Sequence, residues 1–253
     1  MQLVQCGVSV RRATIGDSDR LAALLAEALM DASVGAWLVP DKAERRPVLE
    51  RYCRFAVEHG LEYGSVDTTD DVAAVAIWYP RIKPMPQLSR LLNSDLRRLV
   101  GAYVERFELL HVSTASVHPF VPHHCLAHLA VGSRHRGRGL GSRLLMSHQR
   151  VLDEVGLPAY TESTIERHRT GLYARLGYTP RCPVLLPLAG LALWRMWRQP
   201  ATRAGATGLD ALLPRRVRAH RRPVGTDSAA WPVMPAALPL AGWRTPASAV
   251  AAR

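Results

Sequence analysis

The stretch from Cys125 to Val155 constrains this 253-residue chain more than any other. Cys125-Leu126-Ala127-His128-Leu129-Ala130-Val131 is an apolar run of strand length, and a turn from Gly132 to Gly141 follows it. Leu140, Leu144, Leu145, His148, Val151, Leu152 and Val155 then recur at helical spacing. Strand, glycine-rich turn and helix in direct succession place the chain in the α/β class. Gly137, Gly139 and Gly141 have no Cβ, so the backbone turns sharply there and a ligand can come close. The first amides of the helix lack internal partners, and the helix dipole favours negative charge beside them. An anion, above all a phosphate, belongs at this turn, and Arg134, Arg136, Arg138 and Arg143 raise the local positive potential.

The spacing separates this turn from other phosphate loops. A P-loop ends in Gly-Lys-Ser/Thr, and no lysine is present here. A dinucleotide fingerprint reads G-x-G-x-x-G with an acidic residue after the next strand. Here the order is G-x-G-x-G, and Asp153 and Glu154 fall inside the helix.

Apolar segments on either side supply the rest of a sheet and its helices. Val8 to Ala13 alternates as a first strand, and Asp17 or Ser18 caps a helix whose buried face is Leu21, Leu24, Leu25, Ala28 and Leu29. Trp37 to Pro40 reads as a connection, Ala43 to His59 as a helix, and Leu61 to Asp67 and Val72 to Tyr79 as an antiparallel pair. Pro80, Pro84 and Pro86 end that pair. Helical stretches over 87–100 and 101–113 then lead to the central strand. Downstream, Ala159 to Ser163 is the next, parallel strand. A short helix runs from about Glu166 to Leu176 and stops at Gly177, and Val184 to Leu188 with Leu191 to Trp197 closes as a hairpin.

Arg134-His135-Arg136-Gly137-Arg138-Gly139 resembles motif A of the GNAT superfamily of N-acetyltransferases, Arg/Gln-x-x-Gly-x-Gly/Ala after a central strand. Leu172-Tyr173-Ala174-Arg175-Leu176-Gly177-Tyr178 is similar to that family's Tyr-x-x-x-Gly-Phe/Tyr, and Leu193 to Arg198 resembles the closing strand of relatives of puromycin N-acetyltransferase. The resemblance covers residues 8 to 198. It implies the GNAT fold: a mixed, mostly antiparallel central sheet of six to seven strands, flanked by helices, whose central parallel strands splay apart. It also implies acetyl-CoA as cosubstrate and direct attack by the amine of a small molecule in a ternary complex. Under this resemblance Leu129, Ala130 and Val131 lie beside the pantetheine arm. Arg136, Gly137, Arg138, Gly139, Leu140, Gly141 and Ser142 then hold the pyrophosphate.

Acetyl transfer needs a neutral amine, a held thioester carbonyl and a proton for the departing thiolate. Tyr173 resembles the family's general acid. Two residues compete as base: His128, as a histidine near its normal pKa on the central strand, and Glu162, at the end of the following strand where a cationic acceptor would enter. Many relatives carry an asparagine shortly before the tyrosine, whereas this chain's single asparagine is Asn93, so His168 or Ser163 stands in for that contact.

Net charge is +12, and arginine carries nearly all the positive charge, since Lys42 and Lys83 are the lysines. From residue 201 onward eight arginines face Asp210 and Asp227, which puts half of the excess in an Ala-, Pro- and Arg-rich segment with little periodicity. The expected division is therefore a catalytic domain over 1–200 and a mobile basic tail over 201–253. A competing reading is a non-catalytic acyl-CoA-binding or regulatory module whose tail binds nucleic acid; a solvated tail without nucleic acid is the expectation preferred here. Cys6, Cys53, Cys125 and Cys182 are scattered, without a C-x-x-C pair, and the histidines follow no ligand spacing, so no metal is expected and a reducing cytoplasm is. No apolar run is long enough to enter a membrane, and a homodimer is compatible with the sequence.

Overall fold

The structure, a computed structural model, describes residues 8–82, 96–164, 168–186 and 191–201. Its strands are β1 (Val10–Arg12), β2 (Ser65–Thr69), β3 (Ala74–Arg81), β4 (His123–Val131), β5 (Ala159–Ser163), β6 (Thr179–Pro180), β7 (Val184–Leu186) and β8 (Leu191–Arg198). They run β1-β2-β3-β4-β5-β8-β6 across the sheet, with β7 paired to β8. The pair β4/β5 is parallel and the other neighbours are antiparallel. The helices are α1 (Ser18–Met30), α2 (Ser33–Leu38), α3 (Lys42–Tyr63), α4 (Val104–Ala115) and α5 (Leu140–Glu154).

Two apolar layers sandwich the sheet, and strand alternation decides which residue joins which. Val75 and Ile77 of β3 pack with Leu21, Leu25, Leu49 and Val57 of α1 and α3. Ala74, Ala76 and Trp78 pack on the other face with Leu140, Leu144, Leu145 and Leu152 of α5. His148 is the buried polar member of the α5 face. Its Nδ1 lies 3.0 Å from Asp67 and its Nε2 3.1 Å from His124, while its ring stacks on Trp78. Arg12 completes this chain by donating to Asp67 at 2.6 Å.

Several expectations are corrected. The segment read as a strand from Leu61 is helical up to Tyr63, because α3 runs on until Gly64 and Tyr52, Ala56, Val57 and Gly60 keep helical spacing on its buried face. Trp37 and Leu38 belong to the short helix α2, which buries both against α1 and α3, and are no open connection. Asp17 precedes α1, yet its carboxylate takes hydrogen bonds from Arg11 and from Thr14 and leaves the amides of α1 uncapped. The expected short helix near 166–176 is a wider π turn over His168–Tyr173. The expected tail and most of the 87–100 stretch lie outside the described residues.

Candidate active site

The site forms where β4 and β5 part. Only His124, Cys125 and Leu126 pair with β5, opposite Ala159, Tyr160 and Thr161, and the rest of β4 is left without β5 beside it. On the other edge Trp78 pairs with Leu126 and Ile77 with His128, so Ala127 is an extra residue bulged out of the ladder. The bulge also shifts the alternation. Leu126 faces α5, His128 and Ala130 face α1 and α3, and Leu129 and Val131 return to the α5 side.

A cavity of about 1550 Å³ occupies this gap and takes in the glycine turn, the parted stretch of β4, Tyr173 and Glu162. At the turn, Gly137 and Gly139 have φ of +79° and +81°, and a Cβ placed on either would meet nothing within 4 Å, so backbone conformation is what requires glycine there. Gly141 differs: it sits in the first turn of α5 with an ordinary helical backbone, and a Cβ there would lie 3.6 Å from Val131. Leu140 and Ser142 also line the cavity. Arg136 lines it as well, although its guanidinium is held by Asp31 at 3.0 Å and by the Val131 carbonyl. Arg138 is exposed and is not among the lining residues, because its side chain leaves the turn on the solvent side. His168 lies in the π turn, and its side chain is outside the described residues. The open turn, the amides of a 15-residue helix and the adjacent arginine fit a pyrophosphate.

Tyr173 and Glu162 approach the gap from opposite faces of the sheet. Tyr173 is buried in the α5-side layer, and burial pushes its phenol up to about 12, opposed by a hydrogen bond with Thr161. Thr161 in turn donates to the Leu126 carbonyl at 2.9 Å, the last paired position before the strands part. Glu162 points to the other face with Tyr160, whose hydroxyl donates to it at 2.7 Å. Burial raises the Glu162 carboxyl above its usual range, while Tyr160, Arg195 and Arg81 pull it back. Such a carboxylate is a stronger base than one in water.

His128 differs from the expectation of an ordinary histidine. Burial, with a contribution from His111, lowers its pKa to about 4, so the ring is neutral near pH 7 and a weak base. It packs edge-on against Tyr52, whose hydroxyl lies 3.4 Å from His111 Nε2. Tyr52, His111 and Thr161 also line the cavity, and the sequence alone assigns none of them to this site. Tyr52 carried a signal only as an inward position of a helix, and the alternation of β5 was the available clue to the two faces. Among the described residues no three His, Cys, Asp or Glu side chains are grouped to hold a metal, and no helix is long and apolar enough to cross a membrane.

The acetyltransferase (GNAT) family pattern matches residues 27–178, more than half of the chain, and spans the turn and Tyr173. The chain belongs to the GNAT family. It is therefore an acetyl-CoA-dependent acyltransferase. Solved structures share the fold. A Corynebacterium glutamicum protein described as histone acetyltransferase HPA2 and related acetyltransferase matches with a TM-score of 0.60 at 24% identity, over 78% of this chain and 99% of that one. Arylalkylamine N-acetyltransferase 2 of Aedes aegypti matches with a TM-score of 0.56 at 15% identity, over 76% and 99%. A mosquito arylalkylamine N-acetyltransferase like 5b gives 0.53 at 16%, over 76% and 100%.

Proposed function

We propose that this GNAT acyltransferase acetylates the amine of a small molecule by direct attack within a ternary complex. The observation that carries the reading is the single cavity that joins the glycine turn to Tyr173 on one face of the sheet and to Glu162 on the other. Acetyl-CoA supplies an activated acetyl group. The amides from Gly137 to Ser142 hold its pyrophosphate, and Leu129, Ala130 and Val131 flank its arm. Glu162 takes the proton of the incoming ammonium, directly or through water, and Tyr173 keeps a proton at neutral pH for the leaving sulfur. His128, neutral, orients the acceptor by hydrogen bonding and is the weaker candidate for base. The substrate names of the arylalkylamine enzymes and the likeness of Leu193–Arg198 to the closing strand of puromycin acetyltransferase relatives favour a small-molecule acceptor. Residues 1–200 would then form the catalytic unit and the basic segment beyond it a separate tail.

The test is thiol release from acetyl-CoA across a library of small amines. Saturable release is expected with at least one member, and Tyr173→Phe is expected to lower kcat by roughly a hundredfold or more while acetyl-CoA binding stays close to wild type. Equal turnover by Tyr173→Phe removes Tyr173 from the chemistry.

A further inference from the structure

The acceptor face of the cavity contains an arginine that the described residues leave without a counter-ion. Arg81 ends β3, two positions beyond Tyr79 and on the same face, and it lines the cavity with Tyr79, His59 and His118. Its Nε is buried without a hydrogen-bond partner, and no carboxylate among the described residues forms an ion pair with it. The other partly buried arginines are all engaged. Arg11 is bidentate to Asp17, Arg198 is bidentate to Asp153, and Arg195 donates to the carbonyls of Cys182 and Val117. Withdrawing a guanidinium from water without a partner costs stability, so a chain that keeps one in its substrate cavity gains from it when something else is bound.

The surroundings narrow what that something is. His59 and His118 are both held toward the neutral form by burial, with Arg81 adding to the effect, so neither competes for an anion as a second cation. Among the described residues, the carboxylates that line the cavity are Asp31, Glu108 and Glu162. Asp31 is taken up by Arg136, Glu108 stands on α4, and Glu162 feels the charge of Arg81 across the cavity without an ion pair. The acceptor face thus pairs one anion-seeking group with one cation-seeking group. β3 and β5 are separated by β4 alone, about 10 Å from strand to strand, and the reach of the two side chains shortens that span. Rings and aliphatic side chains such as Tyr52, Phe55, Leu25 and Leu29 fill the remaining wall.

We infer that Arg81 binds a carboxylate of the acceptor, so that the substrate is an amine of the amino-acid type, its ammonium directed to Glu162 and its carboxylate to Arg81. The amine end of this inference rests on the acetyl-transfer reading above. The planar guanidinium suits a carboxylate through paired N–H donors, which a lysine cannot reproduce.

The experiment compares matched amines that differ only in the carboxylate, L-phenylalanine with phenethylamine and L-leucine with isoamylamine. Thiol release from acetyl-CoA is read with the full chain. The carboxylate-bearing member of each pair is expected to have at least tenfold higher kcat/KM, and Arg81→Ala and Arg81→Gln are each expected to bring that ratio to about one, with Arg81→Lys between. Because the described residues give Arg81 no counter-ion, the variants should melt no lower than the wild type, which thermal unfolding checks. A second readout, the thermal shift produced by N-acetyl-L-phenylalanine on the protein with coenzyme A present, does not need turnover. Turnover of both members without preference, or a preference that survives Arg81→Ala, overturns the inference and leaves acetyl transfer standing. A shift that Arg81→Ala abolishes, with no thiol release for any amine, keeps the carboxylate site and overturns the transfer reading. Neither shift nor release overturns both.

Discussion

Gly139→Ala and Gly141→Ala lie two positions apart in the same turn and should move stability in opposite directions. Gly139 has φ of +81°, and a Cβ there meets nothing within 4 Å, so the cost is that of holding an L-residue in the left-handed region. That cost is about 1–2 kcal/mol, offset by about 0.4–1 kcal/mol from the stiffer unfolded chain. The net is a loss near 1 kcal/mol. Gly141 is helical, and its added methyl would lie 3.6 Å from Val131 and 3.9 Å from Leu129 and Leu172, which is ordinary contact. Helix propensity then favours alanine by about 1 kcal/mol. For a chain of this size each 1 kcal/mol moves Tm by about 2–4 °C, so the two variants should melt on either side of wild type. Acetyl-CoA titration should nevertheless show weaker binding for both, because one substitution re-aims the turn amides and the other places a methyl on the wall of the anion site. A Gly139→Ala variant that melts at or above wild type refutes the backbone argument. A Gly141→Ala variant that binds acetyl-CoA as wild type does removes Gly141 from the cradle.

Further outcomes follow from the titrating groups. Glu162→Gln should lower kcat by roughly a hundredfold and remove the acidic limb of the kcat/KM profile, since the wild-type rate falls as pH drops through the raised pKa of this carboxyl; a variant that keeps the limb points to another base. His124 and His148 are buried and held below the ordinary histidine pKa. A base with a depressed folded pKa contributes stability that is complete above the unfolded value, near 6.5, and lost as pH falls below it. Tm should therefore drop between pH 7.5 and 5.5, and a flat profile contradicts the neutral state of His124 and His148.

The sequence is most legible where two periods meet. The run Cys125 to Val131 and the spacing from Leu140 to Leu152 locate β4 and α5 because one is a continuous apolar run of strand length and the other buries every third or fourth residue. Tyr173 and Glu162 are legible as positions, through a resemblance and through the end of a predicted strand, yet their placement on opposite faces depends on how far β4 and β5 stay paired. Where local signals compete, the reading slips. Leu61 to Tyr63 has the composition of a strand start, but the face of α3 that buries Val57 and Gly60 carries the helix on to Gly64. Arg81 is not recognisable in the sequence at all, because it stands beside Pro80 at the end of a strand, and only the assembled cavity shows that no described residue pairs with it.

The least visible feature is the bulge at Ala127, and it makes a prediction of its own. Regular alternation would put His128 and Ala130 on the same face as Leu126, toward α5; the extra residue puts them opposite, toward α1 and α3. Deleting Ala127 would join Leu126 directly to His128 with the pairing to β3 intact on both sides, Trp78 with Leu126 and Ile77 with His128. Every core residue of β4 keeps its face, and Ala127 itself is exposed, so little apolar burial is lost. What changes is the kink that turns β4 away from β5. The deletion should therefore fold and melt cooperatively while its acetyl-CoA affinity collapses, as circular dichroism melting and calorimetric titration would show together. A deletion variant that still binds acetyl-CoA as wild type does would show that the strands part for another reason, with the π turn at His168–Tyr173 holding β5 aside.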